Sequence, residues 1–113
     1  MVEGAKIDYA GHSDCLPASI IETFSFDLAV AEALKFADSN GETLVVVTAD
    51  HETGGLTLPD GDIEEGINNF RFHWGSHTGC MVPVFAFGPG AERFSGIQQN
   101  TDIPRKIREL MKW

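Results

Sequence analysis

Asp8 and His12 stand four residues apart, Asp50 and His51 are adjacent, and His77 lies in the short polar run Ser76-His77-Thr78-Gly79. Carboxylate oxygens and imidazole nitrogens are ligands that zinc and other divalent cations accept. If the chain around Asp8 is helical, the i, i+4 spacing stacks its carboxylate and the His12 imidazole on one face, within reach of a single cation. Asp50 and His51 directly follow an apolar run, at the carboxyl end of a strand, where open α/β sheets place their sites. There they can share one cation or contact two adjacent ones. Glu3 offers another carboxylate near the first pair. Taken singly, each pair is explained about as well by solvated surface groups. His73, between Phe72 and Trp74, reads as a surface or packing histidine, and Glu52 as a solvent-exposed glutamate that could otherwise orient a neighbouring group.

Several elements must position these residues. The chain up to about Leu16 has no clear period and reads as the end of a strand running into a loop or short helical turn. From Asp27 to about Ser39, apolar residues recur at three- and four-residue steps, which predicts an amphipathic helix capped by Asp27 and stopped at Asn40-Gly41. The β-branched run Thr43 to Thr48 predicts a strand buried on both faces of a parallel sheet. Leu58 to Gly66 reads as loop, and Phe70, Phe72 and Trp74 alternate as in a short strand. Val82 to Phe87 predicts a second apolar strand, weakened by Pro83 and ended by Gly88-Pro89-Gly90. Thr101-Asp102 can cap a last helix with Ile103, Ile107, Leu110 and Met111 on one face.

The composition restricts the partners. The 113 residues suffice for a single domain with a modest core, and 42% apolar content is ordinary for a folded protein. A formal charge of -9 argues against a nucleic-acid partner, because little here would neutralise phosphates. The acidic excess is either a solvated surface or, in part, a set of metal ligands. No apolar run reaches the ~18 to 20 residues of a membrane helix, and Met1-Val2-Glu3-Gly4 does not open a signal peptide. No membrane partner is expected. Cys15 and Cys80 are too few for a disulfide framework.

Three stretches, Val2 to His12, Thr48-Ala49-Asp50-His51-Glu52-Thr53-Gly54-Gly55 and His77-Thr78-Gly79, resemble in order three signature segments of alkaline phosphatases. Val82 to Phe94 and Asn100 to Pro104 resemble the end of bacterial members. The resemblance implies part of an α/β/α three-layer sandwich. It also implies two zinc ions and a magnesium ion beside a phosphorylated serine, in a hydrolase of phosphate monoesters. Residue by residue, Asp8, His12 and His77 resemble the ligands of the first zinc, Asp50 and His51 ligands of the second, and Glu3 a magnesium ligand. Two such zinc ions can clamp the attacking and leaving oxygens of an in-line phosphoryl displacement.

The pattern is incomplete. The family's nucleophilic serine, its metal-bridging aspartate, its magnesium-binding hydroxyl and its phosphate-clamping arginine have no counterpart here. Ser13, Thr48, Ser76 and Thr78 read as capping or turn hydroxyls, and neither Arg71 nor Arg93 matches the family arginine. The expectation is therefore a C-terminal portion of a phosphatase, inactive by itself, from a periplasmic or secreted parent. Related phosphodiesterases, sulfatases and phosphomutases share several of these ligands, and a metal-binding module without catalysis is a further alternative. The strand at Thr43 to Thr48 would sit at an exposed sheet edge, which predicts association between copies. Cys15 and Cys80 each follow a proposed ligand of one zinc by three residues, so they are either a disulfide or two free thiols.

Overall fold

A computed structural model describes residues 1–112, with all side chains except those of residues 67 and 68. The chain forms two compact units, one made of Met1–Leu28 and His51–Met81, the other of Ala29–Asp50 and the residues from Val82 onward. Helix α2, Leu16–Asn40, contributes its first half to one and its second half to the other.

In the first unit the opening segment is a helix, α1, over Ala5–His12. Its N-cap, Gly4, has no side chain with which to cap the first turn, so packing must hold the helix. Ala10 and Gly11 are its buried residues, and Phe26 of α2 lies against Gly4, where a Cβ would come within 2.9 Å of the ring. Asp14, at φ +49°, turns the chain towards α2.

The start of α2 departs from the expectation. The helix begins at Leu16 instead of Asp27, which is an interior residue and not a cap. Pro17 lies in the first turn, where its missing N–H would have had no intrahelical partner. Ser19, inside that turn, bonds back to the Cys15 carbonyl and does not interrupt the helix. The predicted stop is correct: Gly41 adopts φ +71°, and the Asn40 carboxamide oxygen accepts from the Glu42 amide and the Thr43 hydroxyl.

The segment expected to be loop, Leu58 to Gly66, holds most of the first strand and the turn of a hairpin. Strand β3, Thr57–Asp62, pairs antiparallel with β4, Ile67–Arg71, with an irregularity between Thr57 and Asp60. Every residue of β3 is exposed. Its backbone ladder forms without burial, which is why Pro59, Gly61 and the acidic residues Asp60, Asp62, Glu64 and Glu65 concealed it from an apolar-pattern reading. The expected alternation through Trp74 ends at Arg71, and Phe72 instead closes over Gly54. Two very short strands, β2 at Glu52–Thr53 and β5 at His77–Thr78, pair antiparallel with Thr53 opposite His77.

In the second unit, β1 at Val45–Thr48 pairs with β6 at Val84–Phe87, with Val46 opposite Ala86. The pairing is antiparallel, and Val45, Val46 and Val47 are only half-buried. A β-branched run specifies a strand but neither the direction nor the number of its neighbours, and β6 is the one strand flanking β1 among the described residues. Strand β6 starts just after Pro83, which has no N–H for the ladder. Gly88 ends it at φ +102°, so close to the Thr43 carbonyl oxygen that a Cβ would lie 2.2 Å away.

A 3₁₀ turn at Ala91–Phe94 buries Phe94, and Lys106 donates to the Arg93 carbonyl above it. Helix α3, Asp102–Leu110, follows the prediction except at its cap. Thr101 makes no capping bond, and the Asp102 carboxylate instead accepts from the Gln99 amide and pairs with Arg105. Both cysteines are free thiols, Cys15 half-buried and Cys80 exposed. No helix among the described residues is long and apolar enough to cross a membrane.

Candidate metal centre

Helix α1 turns Asp8 and His12 towards one point, and the β2–β5 pair brings His77 to the same place. The Nε2 atoms of His12 and His77 lie 3.2 Å apart, and Asp8 Oδ1 is 3.5 Å from each. Four ligands at the ~2.0 to 2.1 Å bond lengths of tetrahedral zinc are separated by about 3.3 Å. The three atoms thus already approximate one face of such a tetrahedron. Asp8, His12 and His77 keep 32%, 36% and 48% of their side-chain surface exposed, so the remaining apex can open to solvent.

Surrounding groups fix the orientation of these side chains. His12 Nδ1 lies 3.1 Å from the Gly75 carbonyl oxygen, which can only accept, so Nδ1 carries a proton and Nε2 presents its lone pair. The His51 ring stacks on His77 with centroids 3.5 Å apart and planes 18° from parallel. Thr53 Oγ1 donates to Asp8 Oδ1 at 2.6 Å and lies 3.1 Å from His51 Nδ1. That Thr53 bond is the main cause holding the Asp8 carboxyl below its ordinary pKa; partial burial opposes it, and the imidazoles of His12, His77 and His51 add to it.

Two glycines make the packing close enough. A Cβ on Gly11, between Asp8 and His12, would lie 2.9 Å from the Thr53 carbonyl oxygen, and one on Gly54 would lie 2.9 Å from the Gly11 carbonyl oxygen. Glu52 is half-buried, contrary to the exposed side chain expected, and accepts from the Gly55 amide and the Thr78 hydroxyl. It thereby ties β2 to the residue after His77.

The remaining candidates are on other stretches of the chain. Asp50 is exposed after β1 in the second unit, and Glu3 is exposed ahead of α1. Among the described residues, neither belongs to the group of converging ligand atoms. His73 bonds through Nε2 to the Thr57 hydroxyl at the base of the hairpin, a structural place. Thr53, Gly11 and Gly75 were not singled out in the sequence. The only available signal was their proximity to Asp8, His12, His51 and His77, and proximity along the chain does not say which side chains meet.

The family profile described as alkaline phosphatase matches residues 1–73. The chain belongs to the alkaline phosphatase family. Alkaline phosphatase H of Pseudomonas aeruginosa is 33% identical over 126 residues, covering 97% of this chain and 26% of its own length. Streptomycin-6-phosphate phosphatase of Streptomyces griseus is 37% identical over 119 residues, covering 90% and 26%. The structure of the alkaline phosphatase from the Antarctic bacterium TAB5 matches 98% of this chain with 43% identity and a TM-score of 0.90, and 34% of that enzyme is covered. A mutant of the TAB5 alkaline phosphatase, with a TM-score of 0.88, is described with Mg bound in its M3 site. The chain has the α/β fold of these alkaline phosphatases. It spans 26% to 40% of the length of the curated alkaline phosphatases and the streptomycin-6-phosphate phosphatase it matches first.

Proposed function

We propose that the chain is the metal-binding part of an alkaline phosphatase, a metal-dependent hydrolase of phosphate monoesters, in which Asp8, His12 and His77 hold a zinc ion. The observation that carries this reading is the triangle of Asp8 Oδ1, His12 Nε2 and His77 Nε2, with edges of 3.2, 3.5 and 3.5 Å. Two imidazoles and one carboxylate with an open fourth position are the ligand set of a catalytic zinc site, not a closed structural one. In the same reading Asp50 and His51 serve a second zinc ion and Glu3 a magnesium ion, the carboxylate suiting the harder cation.

A bound cation supplies Lewis-acid stabilisation to phosphoryl oxygens that gain charge during displacement. The protein's own contribution is to hold its ligands deprotonated and convergent. The lowered pKa of Asp8 keeps its carboxylate ionised, and the Gly75 carbonyl keeps the proton of His12 away from the triangle. These 113 residues include no serine in the context of the family nucleophile, so the isolated chain binds metal without turning over substrate.

Titration with zinc by calorimetry and with cobalt(II) by visible absorption tests the first part, alongside an assay on p-nitrophenyl phosphate. One tight site of tetrahedral cobalt(II) character, a weaker second event at the two-ligand Asp50–His51 pair, and no hydrolysis are expected. An apo-like protein at excess zinc would refute the metal reading. Hydrolysis lost on adding a chelator would refute the inactivity of the isolated chain.

A further inference from the structure

We infer that the Thr53 hydroxyl is a positioning group that joins Asp8 to His51 and sets the tautomer in which His51 meets a cation. The inference rests on the metal-binding reading above and adds a residue to it. Thr53 stands in β2 opposite His77, and its Oγ1 is 2.6 Å from Asp8 Oδ1 and 3.1 Å from His51 Nδ1. A hydroxyl has one proton to give. The ionised carboxylate can only accept, so Thr53 gives that proton to Asp8. Its oxygen is left as an acceptor for the third partner, and His51 Nδ1 must therefore be the protonated nitrogen. Nε2 of His51 then carries the lone pair, the form in which imidazole binds a metal.

One hydroxyl thus performs two tasks. It orients the carboxylate of the triangle, and it prepares an imidazole stacked on another member of that triangle, His77. The carboxylate oxygen has two lone pairs, so accepting from Thr53 leaves one available. His12 is prepared in the equivalent way by a backbone carbonyl, which leaves Thr53 as the polar side chain that substitution can remove. The methyl group of Thr53 has a separate function. Its Cγ2 packs under Gly11, where a Cβ would lie 3.0 Å away, so threonine also seats α1 on β2.

Thr53→Val keeps the shape and removes the hydroxyl, whereas Thr53→Ser keeps the hydroxyl and removes the methyl. In the ¹⁵N-labelled full chain without metal, ring-nitrogen shifts from long-range ¹H–¹⁵N correlation report the His51 tautomer directly. We expect the Nδ1–H form in wild type and T53S and its loss in T53V. Zinc affinity should fall roughly 10- to 100-fold in T53V, the usual effect of losing an outer partner of a ligand, and only a few-fold in T53S. Should T53V fail to fold, the tautomer in wild type and T53S alone decides, and an Nε2–H His51 there would overturn the inference. Wild-type zinc binding with T53V unchanged in both readouts would overturn Thr53's role alone. No zinc binding by the wild type would instead bring down the metal reading on which it rests.

Discussion

His12 and His77 meet Nε2 to Nε2 at 3.2 Å although 65 residues separate them along the chain. Helix α1 delivers one and the two-residue strand β5 the other, and Asp8 Oδ1 closes the triangle. The two histidines are held by different elements, so removing His77 should not rearrange the Asp8–His12 pair on α1. His77→Ala is expected to reduce zinc affinity by more than the ~10- to 100-fold typical of an outer partner, with little change in helical circular dichroism. Competition against a chromophoric chelator measures it.

Gly11 separates Asp8 from His12 and faces Thr53 with no room for a side chain. Because the obstruction at 2.9 Å is the Thr53 backbone oxygen, a methyl group there must push α1 away from β2. Overpacking of this kind costs about 1 to 3 kcal/mol. Gly11→Ala should therefore lower the unfolding midpoint, and it should also weaken zinc binding, because both α1 ligands move together away from His77. A variant that melts early yet binds zinc like the wild type would contradict the coupling of this contact to the site.

Asp8 gives the metal-free protein a predictable response to acid. Its folded-state pKa lies below the ordinary carboxylate value, first through the Thr53 bond and then through the imidazoles, against the opposing effect of partial burial. A depressed folded pKa means that Asp8 contributes its full stabilisation above the unfolded-state pKa and loses it as pH falls through the folded value. The difference between the urea midpoints of wild type and Asp8→Asn, followed from neutral pH to about pH 3, should narrow towards the acid end. Curves that stay parallel across that range would contradict this linkage.

Strand β1 pairs with β6 along one edge, and no other strand pairs with it among the described residues. Its half-buried Val45, Val46 and Val47 present a short apolar edge with free ladder groups, a template for a second chain. Concentration-dependent association between copies is the expected outcome in sedimentation velocity. Val46→Lys, which places a charge on the strand, should reduce it, and a monomer unaffected by concentration would exclude this edge as an association surface.

Much of this was legible in the linear chain because it depends on local chemistry. The Asn40-Gly41 stop needs only the backbone freedom of glycine, and Pro83 and Gly88 bound β6 through properties of their own residues. The i, i+4 spacing of Asp8 and His12 required only that α1 be a helix. The start of α2 was missed because Asp27 resembles a cap, while eleven preceding residues with adequate helix propensity simply continue the helix back to Pro17 and Leu16. Strand β3 was missed because every one of its residues is exposed, leaving no alternation to detect.

By itself, the sequence determined which residues can bind a cation and, through three ordered motifs, the family to which they belong. Ligand type and short spacings are properties of the chain alone. Only the tertiary structure decided which candidate ligands share a point: among the described residues it joined Asp8, His12 and His77, and that group does not include Asp50, His51 or Glu3. It also brought the Thr53 hydroxyl to Asp8 and His51, with Gly11 and Gly54 allowing the close approach. The physical reason is that a hydroxyl's partners and a missing Cβ acquire meaning only when distant backbones approach within van der Waals contact, and no local spacing encodes that approach.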